Sequence, residues 1–470
     1  MVSFDRVSKT EGDILLDVIK KIVEILLKLY FILQLKRKVL TWGTFLLSEL
    51  KNMTLFLQKR YMKNLKIMVY QTADMSSSGN SMNICILKES LNIGGTERSA
   101  ANISKIISKD HNVWVALYDA SHIQYTYGGT IIDFRLPPRQ SLLGKFINTI
   151  YRDIKLRQLI KQKRIDVVYS FTGIGNRLTR YRYNSMKIIS ARDFGAMAEK
   201  SKLYYKALNN SSAMICNSEY IRQFFLSKYP DQSNKVFSVY NFIDVDEICK
   251  QAKEDIDAQC NEFIEKHTSI VVSVGRFCKE KGFEFLIESI ALARKNNDGI
   301  GLMLVGDGKY KQKYLALIER FGLQEHVYFT GFQQNPYKYM ARGTCFVLSS
   351  ISEGFPNVLV EAMALGLPVI ASNCYSGPAE ILRNDADYAA IKDKYVECDY
   401  GIISPALKAS DNRIAMNELS KAITRLLSNE ELCCKYQELS IQRSLVFSEE
   451  ATRKKLNQIF DILQDRRSAI

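Results

Sequence analysis

The sequence predicts an α/β protein with two successive Rossmann-like domains and a helical extension in front of them. From Met82 onward, short apolar runs alternate with amphipathic helical stretches, which is typical of mainly parallel sheets. The alternation pauses over residues 244–266 and restarts at Ser269, which indicates a second domain. Because 47 % of its 470 residues are apolar, the chain can bury several cores, which excludes the disordered and fibrous classes.

Residues 1–81 differ in character from the rest. Between Ile14 and Leu35, polar residues recur at helical spacing and leave a wide apolar arc, which indicates an amphipathic helix. Acidic residues before and inside this stretch argue against a secretory signal. No run approaches the roughly 18 apolar residues of a membrane span. The segment is predicted to be a helical extension packed on the protein, or a membrane-associating segment helped by the basic residues 36–38.

Residues 82–250 are predicted to form the first domain and residues 251–445 the second. In the first, strands are expected at 83–87, 113–117, 131–134, 166–169, 187–190, 213–216 and 236–240. In the second, they are expected at 269–275, 301–305, 327–330, 344–348 and 367–371. The stretch 244–266 is interpreted as a connection between the domains. Residues 446–470 are predicted to form a final amphipathic helix, at 449–463.

The net charge of +15 comes entirely from residues before position 251. Such a surplus suits an anionic partner, which charge alone leaves open as nucleic acid, an acidic membrane surface or a phosphorylated substrate. The ten cysteines lack a metal-binding spacing, so they are interpreted as free thiols in a reducing cytoplasm. Asp244-Val245-Asp246 has the form of a metal-binding Asp-x-Asp motif, but its place in the connection favours a linker or helix cap.

Two short motifs follow predicted strands. Gly94 and Gly95 precede a helix, with Thr96 as its predicted N-cap, and their amides could approach a phosphate; a simple tight turn is the alternative. Arg276 and Lys281 flank the crevice at the carboxyl end of another strand, where two cations suit a diphosphate, although ordinary surface charge would look the same.

The most informative segment runs from Glu353 to Glu361. Glu353 lies in a loop after a strand, and Glu361 lies about one turn into the next helix. Gly354 and Pro356 form the bend between them, so that both carboxylates could face one cleft. A helix cap would need only one acidic residue, so a binding site is favoured.

These motifs together resemble the family 4 glycosyltransferases, which are retaining enzymes of the GT-B fold. The resemblance rests on the two glutamates seven residues apart, Gly275-Arg276 with Lys281-Gly282, the segment 305–308, and the glycine pair near the start. It covers residues 82 to 463. It implies two Rossmann-like domains facing across a cleft, with a nucleotide-sugar donor held mostly by the second domain and the acceptor by the first.

The resemblance also implies roles for individual residues. Arg276 and Lys281 are expected to bind the donor diphosphate, Glu361 the ribose hydroxyls, and Glu353 to sit beside the transferred sugar. Whether Glu353 acts as a nucleophile, as electrostatic support or only as a sugar-binding group stays open. Further donor contacts are expected from the backbone of Gly94, Gly95, Phe355, Pro356, Asn357 and Val358, and the segment 329–331 is expected near the base.

Many relatives place a histidine near the sugar in the first domain, but none of the four histidines lies in the corresponding stretch, where Arg192 and Asp193 stand. These two residues are interpreted either as contacts for an acceptor or donor hydroxyl or as part of a salt bridge at the edge of the cleft. The segment 376–380, Ser-Gly-Pro-x-Glu, is similar to segments in relatives that use UDP-N-acetylhexosamines, which favours a UDP-linked donor.

The sequence therefore predicts a metal-independent glycosyltransferase without a cofactor, which transfers a sugar from a UDP-sugar to a lipid-linked or polysaccharide acceptor. No nucleic-acid partner is expected, because the sequence lacks a basic recognition segment interleaved with aromatic residues. The protein is expected to be cytoplasmic and peripheral on the inner face of the plasma membrane, because basic residues gather on or beside one predicted helix. Those residues are Lys145, Arg152, Lys155, Arg157, Lys161, Lys163 and Arg164. The alternatives are a non-catalytic polyanion-binding protein on a transferase scaffold and a sugar-nucleotide epimerase of the GT-B fold.

Overall fold

Two seven-stranded sheets organise the protein. The computed structural model describes residues 81–468 apart from Ile93, 172–182, Tyr375, 384–390 and 409–411. The prediction of a helical extension over residues 1–81 falls on residues outside this range, except for residue 81. We call residues 81–243 the first lobe and residues 244–445 the second lobe.

The sheet of the first lobe is entirely parallel, with the strand order β3-β2-β1-β4-β5-β6-β7. Its strands are β1 (Asn83–Lys88), β2 (Asn112–Leu117), β3 (Thr130–Asp133), β4 (Val167–Ser170), β5 (Met186–Ala191), β6 (Ala213–Cys216) and β7 (Val236–Ser238). Its helices are α1 (Gly95–Ile107), α2 (Leu142–Lys163), α3 (Phe194–Leu208) and α4 (Glu219–Lys228). The order reverses between β1 and β4, and in such sheets ligands bind at that point, outside the carboxyl ends of the strands.

The sheet of the second lobe follows the same scheme, in the order β10-β9-β8-β11-β12-β14-β13. Its strands are β8 (Ser269–Val274), β9 (Ile300–Val305), β10 (Val327–Gly331), β11 (Cys345–Leu348), β12 (Val369–Ser372), β13 (Val396–Cys398) and β14 (Gly401–Ser404). All neighbours pair in parallel except β13 with β14. The central strands are buried along almost their whole length, because helices cover both faces.

The helices of the second lobe cover the faces of its sheet and connect its strands. They are α5 (Val245–Gln251), α6 (Ala258–Glu265), α7 (Phe283–Ala293), α8 (Lys311–Arg320), α9 (Tyr337–Met340), α10 (Asn357–Ala364), α11 (Pro378–Leu382), α12 (Arg413–Leu427) and α13 (Glu430–Leu445). Short 3₁₀ turns lie at Pro230–Lys235, Lys279–Lys281 and Gln324–His326.

The final helix, α14 (Glu449–Ser468), returns to the first lobe. Leu456, Ile459, Phe460 and Leu463 are almost fully buried in the core of the first lobe. Arg453 forms an ion pair with Asp110, to which Asn457 also donates a hydrogen bond at 2.8 Å. The helix therefore ties the end of the second lobe to the first.

The structure corrects two sequence predictions about the second lobe. The stretch 244–266 is not a plain connection, because α5 and α6 form there, each started by an aspartate: Asp244 accepts from the amide of Glu247 and Asp257 from that of Cys260. The strand β13 at the sheet edge and its neighbour β14 were missed because they are only three and four residues long, whereas the apolar pattern marks longer runs.

Candidate functional site

The carboxyl ends of the central strands of the second lobe bring three glycine-containing loops together. Gly275 follows β8, Gly306 follows β9, and the amide of Gly306 donates to the carbonyl of Gly331 at 3.0 Å. Gly306 has φ 145°, and a Cβ there would lie 2.0 Å from the carbonyl oxygen of Gly275. Only glycine allows this approach, which packs the loops into one floor.

Lys281 and Glu353, which the sequence predicted to share a site, form an ion pair on this floor. Nζ of Lys281 lies 2.7 Å from Oε1 of Glu353, and the hydroxyl of Ser350 donates to the same oxygen at 2.6 Å. The two charged side chains are 21 % and 14 % exposed. Burial lowers the pKa of Lys281, but the carboxylate of Glu353 more than offsets this effect. The pKa of Lys281 is therefore raised, and the amine stays protonated.

Arg276 lies on the same loop but differs from Lys281 in its surroundings. Its side chain is exposed, and it forms no ion pair or hydrogen bond with any residue that the structure describes. Hydrogen bonds from the Glu280 backbone and from Cys278 lower the pKa of Glu280, and the charge of Arg276 lowers it further. The guanidinium is therefore an exposed cation at the rim of the floor, available to an anionic ligand.

The segment between the two glutamates lies where the lobes meet. A Cβ on Gly354 would be 2.1 Å from the carbonyl oxygen of Arg192 in the first lobe. Phe355 is buried and packs against Tyr240 with ring centroids 5.5 Å apart. Asn357, the first residue of α10, accepts a hydrogen bond from the side-chain amide of Asn241 at 2.8 Å.

These contacts reduce the number of predicted backbone amides that could donate to a ligand. Pro356 has no N–H group, and the amide of Asn357 donates to the carbonyl of Phe355 at 3.0 Å. Within residues 355–358, Phe355 and Val358 have amides that form no backbone hydrogen bond outside regular elements with the described residues. They are the amides that a ligand at the start of α10 could use.

Glu361 lies on α10 in the second turn, as predicted, and its carboxylate is almost completely buried. Nη1 of Arg98 lies 2.8 Å from Oε1 of Glu361, whose side chain is 2 % exposed. The same guanidinium donates to the hydroxyl of Tyr337 in α9. The carboxylate raises the pKa of Arg98, against the opposing effect of burial. Arg98 belongs to α1, so this ion pair crosses from the first lobe to the second.

The glycine pair of the first lobe begins α1. Gly94 is the N-cap, which corrects the prediction of Thr96; the Thr96 hydroxyl lies inside the first turn and donates to Glu97 at 2.9 Å. The amide of Gly94 donates to the hydroxyl of Tyr125 at 3.1 Å, whereas a Cβ on Gly95 would meet open space.

Arg192 and Asp193 have separate structural roles. Nη1 of Arg192 donates to Ser99 and to Asn241, both at 2.6 Å, and the guanidinium lies 4.5 Å from the ring centre of Phe171. Asp193 caps α3 by accepting from the amide of Ala196 at 2.5 Å. In the described residues Arg192 therefore forms hydrogen bonds rather than the salt bridge that sequence reasoning kept open, and through Asn241 it connects to α10.

Sequence reasoning missed two residues that join the lobes, Arg98 and Glu380. The carboxylate of Glu380 accepts from the amides of Glu219 and Tyr220, at 2.7 and 3.0 Å, and so caps α4 of the other lobe. Burial raises the pKa of Glu380, although these amides oppose the shift. The signals were present, since Arg98 follows the glycine pair and Glu380 ends the segment 376–380, but a sequence does not reveal a partner in the opposite lobe.

Two other predicted features concern metal ligands and membrane spans in the described residues. No three His, Cys, Asp or Glu side chains are grouped as metal ligands there, and Asp244 serves as the N-cap of α5. Within the same residues, no helix has the length and apolarity needed to cross a membrane.

Comparison with known proteins agrees with this architecture. Residues 93–247 match the sequence profile of Glycosyltransferase Family 4, and residues 256–397 match that of Glycosyl transferases group 1. HepE of Anabaena, solved in complex with UDP-glucose, superimposes with a TM-score of 0.60 over 81 % of this chain and 99 % of its own, at 18 % identity. At that identity the likeness concerns the fold alone.

Two relatives in sequence are enzymes of glycan synthesis by name. The first is the N-acetylgalactosamine-N,N'-diacetylbacillosaminyl-diphospho-undecaprenol 4-alpha-N-acetylgalactosaminyltransferase of Campylobacter jejuni, 31 % identical over 63 % of this chain and 82 % of its own. The second is the amylovoran biosynthesis glycosyltransferase AmsD of Erwinia amylovora, 25 % identical over 79 % of this chain and 97 % of its own. The chain therefore belongs to the family 4 glycosyltransferases of the GT-B fold.

Proposed function

We propose that the protein transfers a hexose or N-acetylhexosamine from a UDP-sugar to a lipid-linked or polysaccharide acceptor, with retention of configuration and without a metal ion. The observation that carries this proposal is the segment from Glu353 to Glu361 at the gap between the lobes. One of its carboxylates is paired with Lys281 and the other is buried at the start of the second turn of α10.

The charges of the site suit cleavage of a bond between a sugar and a diphosphate. That reaction builds positive charge on the sugar ring and negative charge on the leaving diphosphate. Arg276 and Lys281 would stabilise the diphosphate, together with the amides of Phe355 and Val358. Glu361 would bind the ribose hydroxyls, as the family resemblance implies. Glu353 would stabilise the ring, and its pairing with Lys281 favours electrostatic support over attack as a nucleophile. These two cations, of which Lys281 is held in place by Glu353, would then neutralise the charge that a metal ion neutralises in other transferases.

The donor and acceptor classes are supported by relatives. HepE of Anabaena was solved with UDP-glucose, and the Campylobacter jejuni relative is named for a diphospho-undecaprenol-linked acceptor. We expect UDP to be the nucleotide and a lipid-linked or polysaccharide chain in surface glycan synthesis to be the acceptor.

A screen of UDP-, GDP- and ADP-sugars, each with and without a chelator, tests the proposal. We expect donor hydrolysis or transfer with UDP-sugars only, unchanged by the chelator and weakened in Arg276→Ala. Strict dependence on a divalent ion together with full activity of Arg276→Ala would contradict the site. Analysis of a labelled product separates transfer from epimerisation, since an epimerase would return an isomeric UDP-sugar.

We expect the protein to meet its acceptor at an anionic membrane surface. The helix α2 supplies cations that could bind this surface. Lys145, Lys161 and Lys163 are exposed on this helix, and Phe146, next to Lys145, is 48 % exposed. Other basic side chains of α2 serve the fold instead: Arg152 and Lys155 donate to the carbonyls of Leu136 and Phe134.

Co-sedimentation with vesicles tests this surface. We expect binding to phosphatidylglycerol vesicles at low salt, weaker binding at high salt, and none to phosphatidylcholine vesicles. The double variant Lys161→Glu/Lys163→Glu should bind less, while its hydrolysis of a UDP-sugar stays at the wild-type level. Binding that is indifferent to lipid charge and salt would contradict a charge-based membrane site.

A further inference from the structure

Arg98 is a cation of the first lobe whose contacts lie in the second. Its guanidinium is 2.8 Å from Glu361 on α10 and donates to the hydroxyl of Tyr337 on α9. The side chain of Arg98 is 31 % exposed, whereas that of Glu361 is 2 % exposed and Tyr337 is 5 % exposed. Arg98 therefore approaches a buried carboxylate from the open side of the gap.

The geometry of this ion pair leaves Glu361 able to bind a second partner. Although Nη1 is close to Oε1, no described residue donates a well-aligned hydrogen bond to that oxygen. A carboxylate has about four acceptor positions, so hydroxyl donors of a ligand could still bind it. A buried carboxylate without a cation would instead be costly to keep charged.

We propose that Arg98 is a positioning residue for the donor, which holds the Glu361 carboxylate charged and oriented toward the ribose hydroxyls when the lobes are closed. The inference rests on the proposed function, because it takes Glu361 as the ribose-binding group. Tyr337 fixes the other side of the guanidinium, so ribose recognition in the second lobe depends on a residue that the first lobe delivers.

The experiment compares the dissociation constants of UDP and of 2′,3′-dideoxyuridine diphosphate, which lacks both ribose hydroxyls. In the wild-type protein, loss of hydrogen bonds to a carboxylate should weaken binding about 10- to 100-fold. In Arg98→Met we expect this ratio to fall by about tenfold, with partial recovery in Arg98→Lys. Donor KM should rise more than kcat falls. Lys105→Met, on the last turn of α1, is the matched control and should keep the wild-type ratio.

The Glu361→Gln variant separates the two levels of the proposal. If Glu361→Gln keeps the wild-type ratio, the ribose role in the proposed function is wrong. If Glu361→Gln lowers the ratio and Arg98→Met does not, the inference about Arg98 is wrong while the ribose role stands. A fall in kcat of Arg98→Met with an unchanged ratio would also overturn the inference, because Arg98 would then act on the reacting groups. Combining Arg98→Met with Glu361→Gln should lower the ratio no further than Glu361→Gln does.

Discussion

The ion pair between Lys281 and Glu353 shows how one side chain can serve both the fold and a site. Gly275 permits it, since a Cβ there would lie 3.2 Å from Cε of Lys281. The amine is held in place before any ligand arrives, so little reorganisation would be needed when a diphosphate binds. A preorganised cation of this kind contributes more to a transition state than a flexible surface lysine.

Replacement of Lys281 by alanine should reduce kcat at least a hundredfold. Loss of a preorganised charge at a developing anion costs about 3 kcal/mol in the barrier. Steady-state turnover of a UDP-sugar measures the effect. Lys279→Ala removes an exposed lysine from the same 3₁₀ turn and should change kcat little. Equal turnover of the two variants would argue against a role for Lys281 in catalysis.

At the scale of elements, the N-terminus of α4 is capped from the opposite lobe. Ser218 is the N-cap of α4 and accepts from Ile221, while Glu380 accepts from the two amides before it. The hydroxyls of Ser218 and Ser376 also lie 2.6 Å apart, so the segment 376–380 is fastened to this helix. That segment resembled a donor motif in the sequence, and in the fold its glutamate is a structural bridge.

Replacement of Glu380 by alanine should lower the free energy of unfolding by about 1–3 kcal/mol, because two partly buried amides lose their acceptor. Urea denaturation measures this change. Glu438→Ala, on the exposed face of α13, is the matched control and should stay within about 0.5 kcal/mol of the wild type. An unchanged stability of Glu380→Ala would mean that water replaces the cap without cost.

The attachment of α14 should depend on pH through Asp110. The hydrogen bond from Arg453, the largest influence, lowers the pKa of Asp110 to about 2 from an ordinary value of 3.8. The carboxylate therefore stabilises the folded state fully above its unfolded pKa, and this contribution is lost as the pH falls from about 4 through about 2.

Asp110→Asn should accordingly destabilise the protein at pH 6, and its difference from the wild type should shrink as the pH falls below 4. Urea unfolding at pH 6, 4 and 3 tests the trend. Asp465→Asn, an exposed acid on α14, should show no comparable change. A constant difference at all three pH values would exclude ionisation of Asp110 as the cause.

At the scale of the whole molecule, the two lobes touch along the segment that carries both glutamates. Gly354 lies against the backbone of Arg192, Asn357 against Asn241, and Glu361 against Arg98. Binding of a donor to this segment should therefore depend on whether the lobes are closed.

Gly354→Ala should force the lobes apart, because its methyl group would lie 2.1 Å from the carbonyl oxygen of Arg192. A backbone oxygen cannot turn aside as the end of a flexible side chain can. We expect faster hydrogen exchange at the amides of Glu219 and Tyr220, which Glu380 protects across the gap, and reduced transfer. Gly195→Ala is the control, since its methyl group would meet only the Asp193 side chain, at 3.3 Å. Wild-type exchange in Gly354→Ala would show that the backbone adjusts within one lobe.

Much of the architecture was predictable because it depends on local pattern. Buried parallel strands such as β1, β6 and β9 are short apolar runs between amphipathic helices, so their places were predicted to within a residue or two. The strands β13 and β14 were too short for this, since β13 is a partly exposed run of three residues and β14 a buried run of four. The helices α5 and α6 were missed in a charged stretch whose aspartate caps were the usable signal.

The sequence by itself determined the two-sheet fold, the family and the loops that carry Arg276, Lys281, Glu353 and Glu361, since strand order and glycine turns place loop residues at one sheet edge. Only the tertiary structure decided the partners. Lys281 pairs with Glu353, Arg98 with Glu361, and Glu380 with α4, across separations from 72 to 263 residues. The contacts of Arg98 and Glu380 depend on how the two lobes dock, whereas the Lys281–Glu353 pair depends on how two loops of the second lobe meet at one sheet edge. Local propensity carries no information about either kind of contact.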